Sequence, residues 1–170
     1  MDAVKNLFKM HGGSNTPEFN LAGIKTFARV VSAYDADTIK VIIPIFGSHY
    51  KFSVRLMGID TCEIKAKNEK NKEIAVKARN RLYELITGGK QIEPSWKKKD
   101  VEKNLDENVT IVWLHCLDFD KWGRVLANVY LDEKTSKSLS DLLIEEKLAY
   151  PYLGDTKLTE EEQLKYLGYI

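Results

Sequence analysis

The chain has 170 residues, of which 44% are hydrophobic and 30% are charged, and its formal net charge is +1. This length suits one domain with a substantial core. The balanced charge excludes a strongly basic protein that coats nucleic acid, although a local basic site remains compatible with it. No apolar run is long enough to span a bilayer.

The two cysteines indicate a reducing environment. Cys62 and Cys116 are too few for a disulfide framework and lack the spacing of metal ligands. We therefore expect free thiols and a reducing compartment such as the cytoplasm, with one bridge between the two cysteines as the alternative. The first residues agree with this expectation, because they lack the apolar core and cleavage site of a secretory signal.

An N-terminal arm and linker are predicted over residues 1–22, in front of a domain over residues 23–170. Apolar residues at helical spacing predict one short amphipathic turn in the arm: Val4, Leu7 and Phe8. Two roles stay open for this turn. It is either a frayed or docked arm, which the sequence favours, or a means of peripheral association with a membrane or partner through residues 1–10.

A three-stranded meander is predicted next. Residues 25–31 and 38–43 are rich in β-forming residues, and the turn at 35–37 separates them. A second turn at 46–48 leads into a third strand, which ends over residues 53–59 before the chain turns outward.

A helix follows between residues 68 and 89, because its apolar residues have helical spacing and two glycines supply an end. The stretch 97–108 is rich in charge and poor in apolar residues. It is therefore predicted to be a solvated loop, with a phosphate-steering lysine patch as the functional alternative.

Two strands and two helices complete the predicted fold. The strands lie at 109–117 and 125–131, and one helix covers 138–148 with hydroxyl capping. The last helix begins at Thr159, where the pattern is that of a capping box. Five strands and about three helices predict an α+β fold with a five-stranded OB-like β-barrel, an architecture that often binds oligonucleotides.

Acidic and arginine side chains fall at the ends of the predicted strands, where a five-stranded barrel can bring them to one rim. They are Asp35, Asp37, Arg55, Asp60, Glu63 and Arg124. The plain alternative for the group around Arg55 is a surface ion pair, which contributes roughly 0–1 kcal/mol.

An oxygen-only metal site is one consequence of this convergence. Asp37 and Asp60, with the backbone carbonyl of Thr61, would suit Ca²⁺ or Mg²⁺. Arg55 and Arg124 opposite such a site suit a phosphate, because a guanidinium donates to two oxygens in a planar fork. Glu63 would then be left to act as a general base.

Four spaced blocks identify a family resemblance. They are Asp35-Ala36-Asp37-Thr38, Val54-Arg55-Leu56, Ile59-Asp60-Thr61-Cys62-Glu63 and Asp120-Lys121-Trp122-Gly123-Arg124. Each block is short, but their order and their places on the predicted elements make the set specific. From about Phe27 to Tyr152, the chain resembles the staphylococcal (micrococcal) nuclease family, whose domains are called SNase-like.

The resemblance implies a calcium-dependent nuclease that hydrolyses phosphodiester bonds of DNA, RNA or both, and leaves 3′-phosphate ends. It assigns the metal to Asp37, Asp60 and Thr61, with Asp35 as a further acid close by. It assigns the scissile phosphate and the base to Arg55, Arg124 and Glu63. It assigns substrate binding to Lys121, Trp122, Tyr150 and Tyr152. With these roles, loss of either arginine is expected nearly to abolish turnover and to spare the fold.

Three positions depart from the family pattern. Cys62 stands where proline is usual, Ala36 replaces a glycine, and Trp122 replaces a tyrosine. None of these changes removes a matched catalytic group. The alternative function is a non-catalytic module that binds nucleic acid or protein, as in the degenerate repeats of Tudor-staphylococcal nuclease proteins. A third alternative is a structural adaptor that the N-terminal arm recruits to a membrane or partner.

Overall fold

A computed structural model describes residues 1–170, which fold around a closed barrel of five strands. The strands are β1 Lys25–Ala33, β2 Thr38–Ile45, β3 Ser48–Leu56, β4 Ile59–Asp60, β5 Thr110–Phe119, β6 Val125–Tyr130 and β7 Tyr150–Pro151. The helices are α1 Asp2–Phe8, α2 Glu69–Ile86, α3 Lys98–Glu107, α4 Leu139–Glu145 and α5 Glu160–Leu167. The predicted α+β class with a five-stranded OB-like barrel is confirmed, with five helices instead of about three.

The barrel closes in the order β1-β2-β3-β6-β5. Neighbouring strands are antiparallel, except that β3 and β6 run parallel. Alternate strand residues point inward and are fully buried, as Val30, Val41 and Val125 show. Such β-branched side chains are stiff and pack well on a pleated surface. The barrel interior is therefore the main core, to which α2, α3 and α4 add buried side chains.

The predicted loop at 97–108 is wrong, because this segment forms α3. Val101 and Leu105 lie one helical turn apart and are fully buried in the main core. The helix is also tied to β1, since the Ser32 hydroxyl donates to Glu102 over 2.8 Å. The helical spacing of apolar residues is a weak signal here, because the charged stretch contains only two buried apolar residues.

The predicted third strand also ends earlier than expected. β3 stops at Leu56, and Gly58 turns the chain with a φ of 83°, a left-handed conformation that glycine adopts without steric cost. The residues that follow form β4, whose Asp60 pairs with Tyr150 of β7. This turn directs Asp60 out of the barrel wall and against the C-terminal part of the chain.

Helices α2 and α5 enclose a second, smaller core around Cys62. Asn68 caps α2 through its side chain, and Thr159 begins α5 with the predicted capping box. The two cysteines are buried and free, which confirms the prediction of free thiols and not of a bridge. Every helix is too short or too polar to cross a membrane.

The N-terminal turn is a short helix, α1, with no buried residue. Further along, Leu21 is buried in the main core just before the barrel begins. The boundary between an arm over 1–22 and a domain over 23–170 stays a prediction, as does the role of residues 1–10.

Candidate active site

Two buried carboxylates and one buried guanidinium form the centre of the site. In the β2–β3 pairing, Thr38 lies opposite Arg55, so the preceding residue, Asp37, comes next to Arg55. Arg55 Nη1 lies 2.9 Å from Asp37 Oδ2, and Arg55 Nη2 lies 2.9 Å from Asp60 Oδ1. Nη1 also donates to the Asp37 carbonyl over 3.3 Å. Arg55 therefore fixes the two carboxylates relative to each other.

Tyr150 supports the second oxygen of Asp60. Its hydroxyl donates a short hydrogen bond to Asp60 Oδ2 and accepts one from Gln163 Nε2 over 3.3 Å. Burial, together with the nearby Asp60 carboxylate, raises the pKa of Tyr150 far above its ordinary value. Tyr150 is only 2% exposed, so it lies behind the carboxylate and not on an open surface where a base could stack.

Burial disfavours the charged forms of the two acids in the β1–β2 turn, Asp35 and Asp37. Burial raises the pKa of Asp37 to about 6, although Arg55 opposes this shift. Burial also raises the pKa of Asp35, against a hydrogen bond of 3.0 Å from the Ile64 backbone N–H to its Oδ1. That bond ties the β1–β2 turn to the segment around Glu63. Ala36 between them is buried and has no positive φ, so this turn does not require glycine.

Thr61 adds an unusual oxygen. Its hydroxyl is buried and has no hydrogen-bond partner, an arrangement that few native polar groups show. The atoms of Asp37, Asp60 and Thr61 that suit a cation are all oxygens: two carboxylates, this hydroxyl and the backbone carbonyls. No cluster of three or more His, Cys, Asp or Glu side chains converges for a metal ion. The neighbouring Cys62 points away, into the small core between α2 and α5.

Although cysteine replaces the usual proline at position 62, packing and a hydrogen bond of Cys62 hold the segment before Glu63 in place. Its side chain is fully buried among Ile74 and Leu164, and its sulfur accepts a 3.6 Å hydrogen bond from Asn71 Nδ2. Burial raises the pKa of the Cys62 thiol to about 11. The cysteine is thus a neutral packing residue, and apolar contacts hold the turn before Glu63.

Lys157 is a member of the site that sequence reasoning missed. Its Nζ lies 3.3 Å from Asp60 Oδ1 and 3.6 Å from Glu63 Oε1. Burial opposes its charge, but the carboxylates of Asp60, Glu63 and Asp37 outweigh this effect and raise the pKa of Lys157. Glu63 itself is 58% exposed and has no other ion pair. No local motif marks Lys157, because only the fold brings its loop to the β4 segment.

Arg124 is held by the β5–β6 turn that precedes it. Asp120 Oδ1 accepts from the backbone N–H groups of Trp122 and Arg124 over 2.8 and 2.9 Å, and Oδ2 lies 2.7 Å from Arg124 Nε. Burial alone would raise the pKa of Asp120, but these hydrogen bonds outweigh it and keep that pKa below its usual range. The Nη groups of Arg124 make no hydrogen bond within the protein.

A cavity of about 390 Å³ joins the two arginines. Its lining includes Arg55, Lys121, Trp122, Arg124 and Tyr152. Trp122 is 71% exposed, and Lys121 Nζ lies 4.9 Å from the centre of its ring. The cavity therefore combines cations with aromatic faces, which is the combination that single nucleic acid strands contact.

The predicted residues thus fall into two adjoining groups that share Arg55. One group is Asp37, Asp60, Thr61 and Glu63 with Asp35 close by, and the other lines the cavity. Tyr150 belongs to the first group instead of the second. A larger groove of about 780 Å³ along α2 is lined by none of these residues, and its Arg81 is already paired with Glu84 and Glu146.

Comparison with known proteins assigns the chain to a family. The chain is similar to Endonuclease YncB of Bacillus subtilis (strain 168), with 32% identity over 135 residues that cover 78% of this chain and 52% of the relative. It therefore spans about half the length of that protein. The family model described as "Staphylococcal nuclease homologue" matches residues 53–168. That range includes Arg55, Asp60, Glu63 and Arg124, and because it covers most of the chain, the protein belongs to the SNase family of staphylococcal nuclease homologues.

Proposed function

We propose that the protein is a calcium-dependent nuclease that hydrolyses phosphodiester bonds of DNA, RNA or both and leaves 3′-phosphate ends. One observation carries the proposal: Arg55 joins a buried pair of carboxylates to a cavity that a second arginine also lines. Membership of the SNase family and similarity to a protein named as an endonuclease support it.

The residues of the first group fit a hard divalent cation. All their donor atoms are oxygens, which Ca²⁺ prefers. Burial makes the charge of Asp37 costly, and the Thr61 hydroxyl has no partner, so both groups would gain from a cation. Asp37, Asp60 and Thr61 would hold it. A bound divalent ion would supply positive charge that polarises a phosphoryl oxygen.

The two arginines would hold the scissile phosphate. Asp120 fixes the Nε end of Arg124 and leaves its Nη groups free. A guanidinium in this state can donate to two non-bridging oxygens at once. Arg55 lines the same cavity from the barrel wall. Charge stabilisation by an arginine on a transferring phosphoryl group contributes up to roughly 10³–10⁵ in rate.

Glu63 would act as the general base. Its exposed carboxylate adjoins Asp60 through Lys157 and reaches the solvent from which the attacking water comes. Glu63 would accept a proton from that water as the water attacks phosphorus in line with the 5′ oxygen. The bond from phosphorus to the 5′ oxygen would break, and this oxygen would take up a proton from solvent and leave as a hydroxyl. A positioned base typically contributes about 10²–10⁴ in rate.

Trp122, Tyr152 and Lys121 would bind the nucleotide next to the scissile bond. Stacking of a base on an aromatic side chain is worth about 1–3 kcal/mol and tolerates any base. Contacts of lysine and arginine with phosphates make affinity fall as salt rises. We therefore expect substrate binding that depends more on salt than on sequence.

The test is a cleavage assay on end-labelled single-stranded DNA, duplex DNA and RNA, with Ca²⁺, Mg²⁺ or EDTA. The proposal predicts cleavage with Ca²⁺, none with EDTA, and products whose 3′ ends accept a label only after phosphatase treatment. Cleavage that EDTA leaves unchanged would contradict the cation site. Binding without cleavage under every condition would instead support the non-catalytic module.

A further inference from the structure

Three side chains, two of them cationic, contact the carboxylate of Asp60. Its Oδ1 lies 2.9 Å from Arg55 Nη2 and 3.3 Å from Lys157 Nζ, and its Oδ2 accepts from the Tyr150 hydroxyl. Two cations thus share one oxygen of this carboxylate. A further cation that binds Asp60 through Oδ1 must compete with one of them.

The two cations differ in how easily they can leave. Arg55 is almost fully buried, and its planar guanidinium also bonds to Asp37. Lys157 is 50% exposed and lies in the loop between β7 and α5. A lysine ammonium is a point charge on a flexible stem that water solvates well. Lys157 can therefore withdraw into solvent while Arg55 still pairs with Asp60. Arg55 cannot withdraw without leaving the buried Asp37 carboxylate unpaired.

We propose that Lys157 is a resident counter-cation that occupies Asp60 Oδ1 and bridges it to Glu63, and that a divalent cation must displace it. This inference rests on the proposed function, because it concerns the same cation site. The lysine compensates the acids in the absence of the divalent ion, and it lowers the affinity of the site for that ion. Displacement also frees Glu63 from its ion partner.

The test is calorimetric titration of the full chain with Ca²⁺ in the absence of nucleic acid. Lys157→Met removes the charge and keeps the length of the side chain, and Lys157→Gln is a second uncharged variant. Lys157→Arg keeps the charge. Lys98→Met is the matched control, because Lys98 is also half-exposed and pairs with one glutamate, Glu102, over 3.7 Å.

We expect both uncharged variants to bind Ca²⁺ about 2–5-fold more tightly than the parent, as loss of a competing exposed ion pair implies. Lys157→Arg and Lys98→Met should stay close to the parent. Thermal unfolding should agree: Lys157→Met should unfold at a lower temperature without Ca²⁺ and gain more from its addition than the parent does.

An unchanged or weaker Ca²⁺ affinity in both uncharged variants would overturn the inference. An equal gain in Lys98→Met would also overturn it, since that result would reflect net charge alone. Absence of Ca²⁺ binding in parent and variants alike would also overturn the inference, because no divalent cation would then compete with Lys157 for Asp60. If the parent cleaves DNA with Ca²⁺ while Lys157→Met keeps parental affinity, only this inference fails and the proposed function stands.

Discussion

Arg55 Nη2 lies 2.9 Å from Asp60 Oδ1, and both side chains are almost fully buried. The other Nη group makes an equivalent contact with Asp37. Arg55 is thus part of the packing of the site as well as a candidate phosphate ligand. The expectation that loss of this arginine spares the fold does not agree with its burial, whereas Arg124 is partly exposed and has a single carboxylate partner.

We therefore predict that Arg55→Met lowers the free energy of unfolding by roughly 3–5 kcal/mol, because it leaves the buried Asp37 carboxylate without its cation and Asp60 with Lys157 alone. Arg124→Met should cost less than about 1 kcal/mol, since its pair is open to solvent. Urea unfolding of both variants measures the difference. Equal stability of the two variants would contradict the structural role of Arg55.

Asp120 positions Arg124, so Asp120→Asn should lower kcat/KM for DNA cleavage by about 10–10²-fold, the range that misplacement of a catalytic group produces. Asparagine can still accept the two backbone hydrogen bonds, and the fold should be kept. Asp118→Asn is the control, because the Asp118 carboxylate is exposed and bonds only to the adjacent Phe119 N–H. Parental kinetics in Asp120→Asn would show that Arg124 needs no such support.

The two thiols should resist modification in the folded protein. Burial raises the pKa of Cys62 and of Cys116 to about 11, and the thiolate is the reactive form. A disulfide reagent at about pH 8, slightly below the ordinary thiol pKa, should therefore react with neither cysteine until the protein is unfolded in guanidinium. Rapid reaction of Cys62 in the native protein would mean that its segment opens readily.

Helix α4 ends in a motif that favours glycine, yet the residue there is Lys147, with a φ of 58°. The backbone N–H of Leu148 donates to the Leu143 carbonyl over 2.9 Å, and that of Lys147 to the Ile144 carbonyl over 3.0 Å. This is a Schellman arrangement, in which the left-handed position disfavours a side chain. The sequence thus tolerates local strain at an exposed helix end.

Lys147→Gly should therefore stabilise the fold by about 0.5–1 kcal/mol. For a chain of this length, this gain corresponds to a rise in melting temperature of about 1–4 °C. Lys147→Ala is the control, since alanine keeps the left-handed strain and removes only the charge. A gain in the alanine variant equal to that of the glycine variant would assign the effect to charge.

Much of the fold was predictable because its signals are local. The alternation of apolar residues marked the strands of the barrel, and helical spacing with caps at Asn68 and Thr159 marked α2 and α5. Helix α3 was missed because only Val101 and Leu105 are buried in it. The sequence did not show the early end of β3, because the apolar run continues on both sides of Gly58, where the chain turns.

The candidate site was predictable only in part, because sequence patterns show local features and not contacts between distant residues. Asp37, Arg55 and Asp60 stand next to strand ends, so their convergence follows from the barrel. The bond between Tyr150 and Asp60 joins residues 90 positions apart, and the approach of Lys157 is equally remote in sequence. Contacts of this kind depend on the packing of β7 and α5, which no local pattern specifies.

The role of Glu63 as the base of the proposed nuclease is tested most directly by the initial rate of DNA cleavage by Glu63→Gln with Ca²⁺. Because Glu63 is 58% exposed, the variant should unfold at the parental temperature. We expect a rate about 10²–10⁴-fold lower than that of the parent. Glu73→Gln, which changes an exposed glutamate on α2, should keep the parental rate. A parental rate in Glu63→Gln would show that Glu63 is not the base.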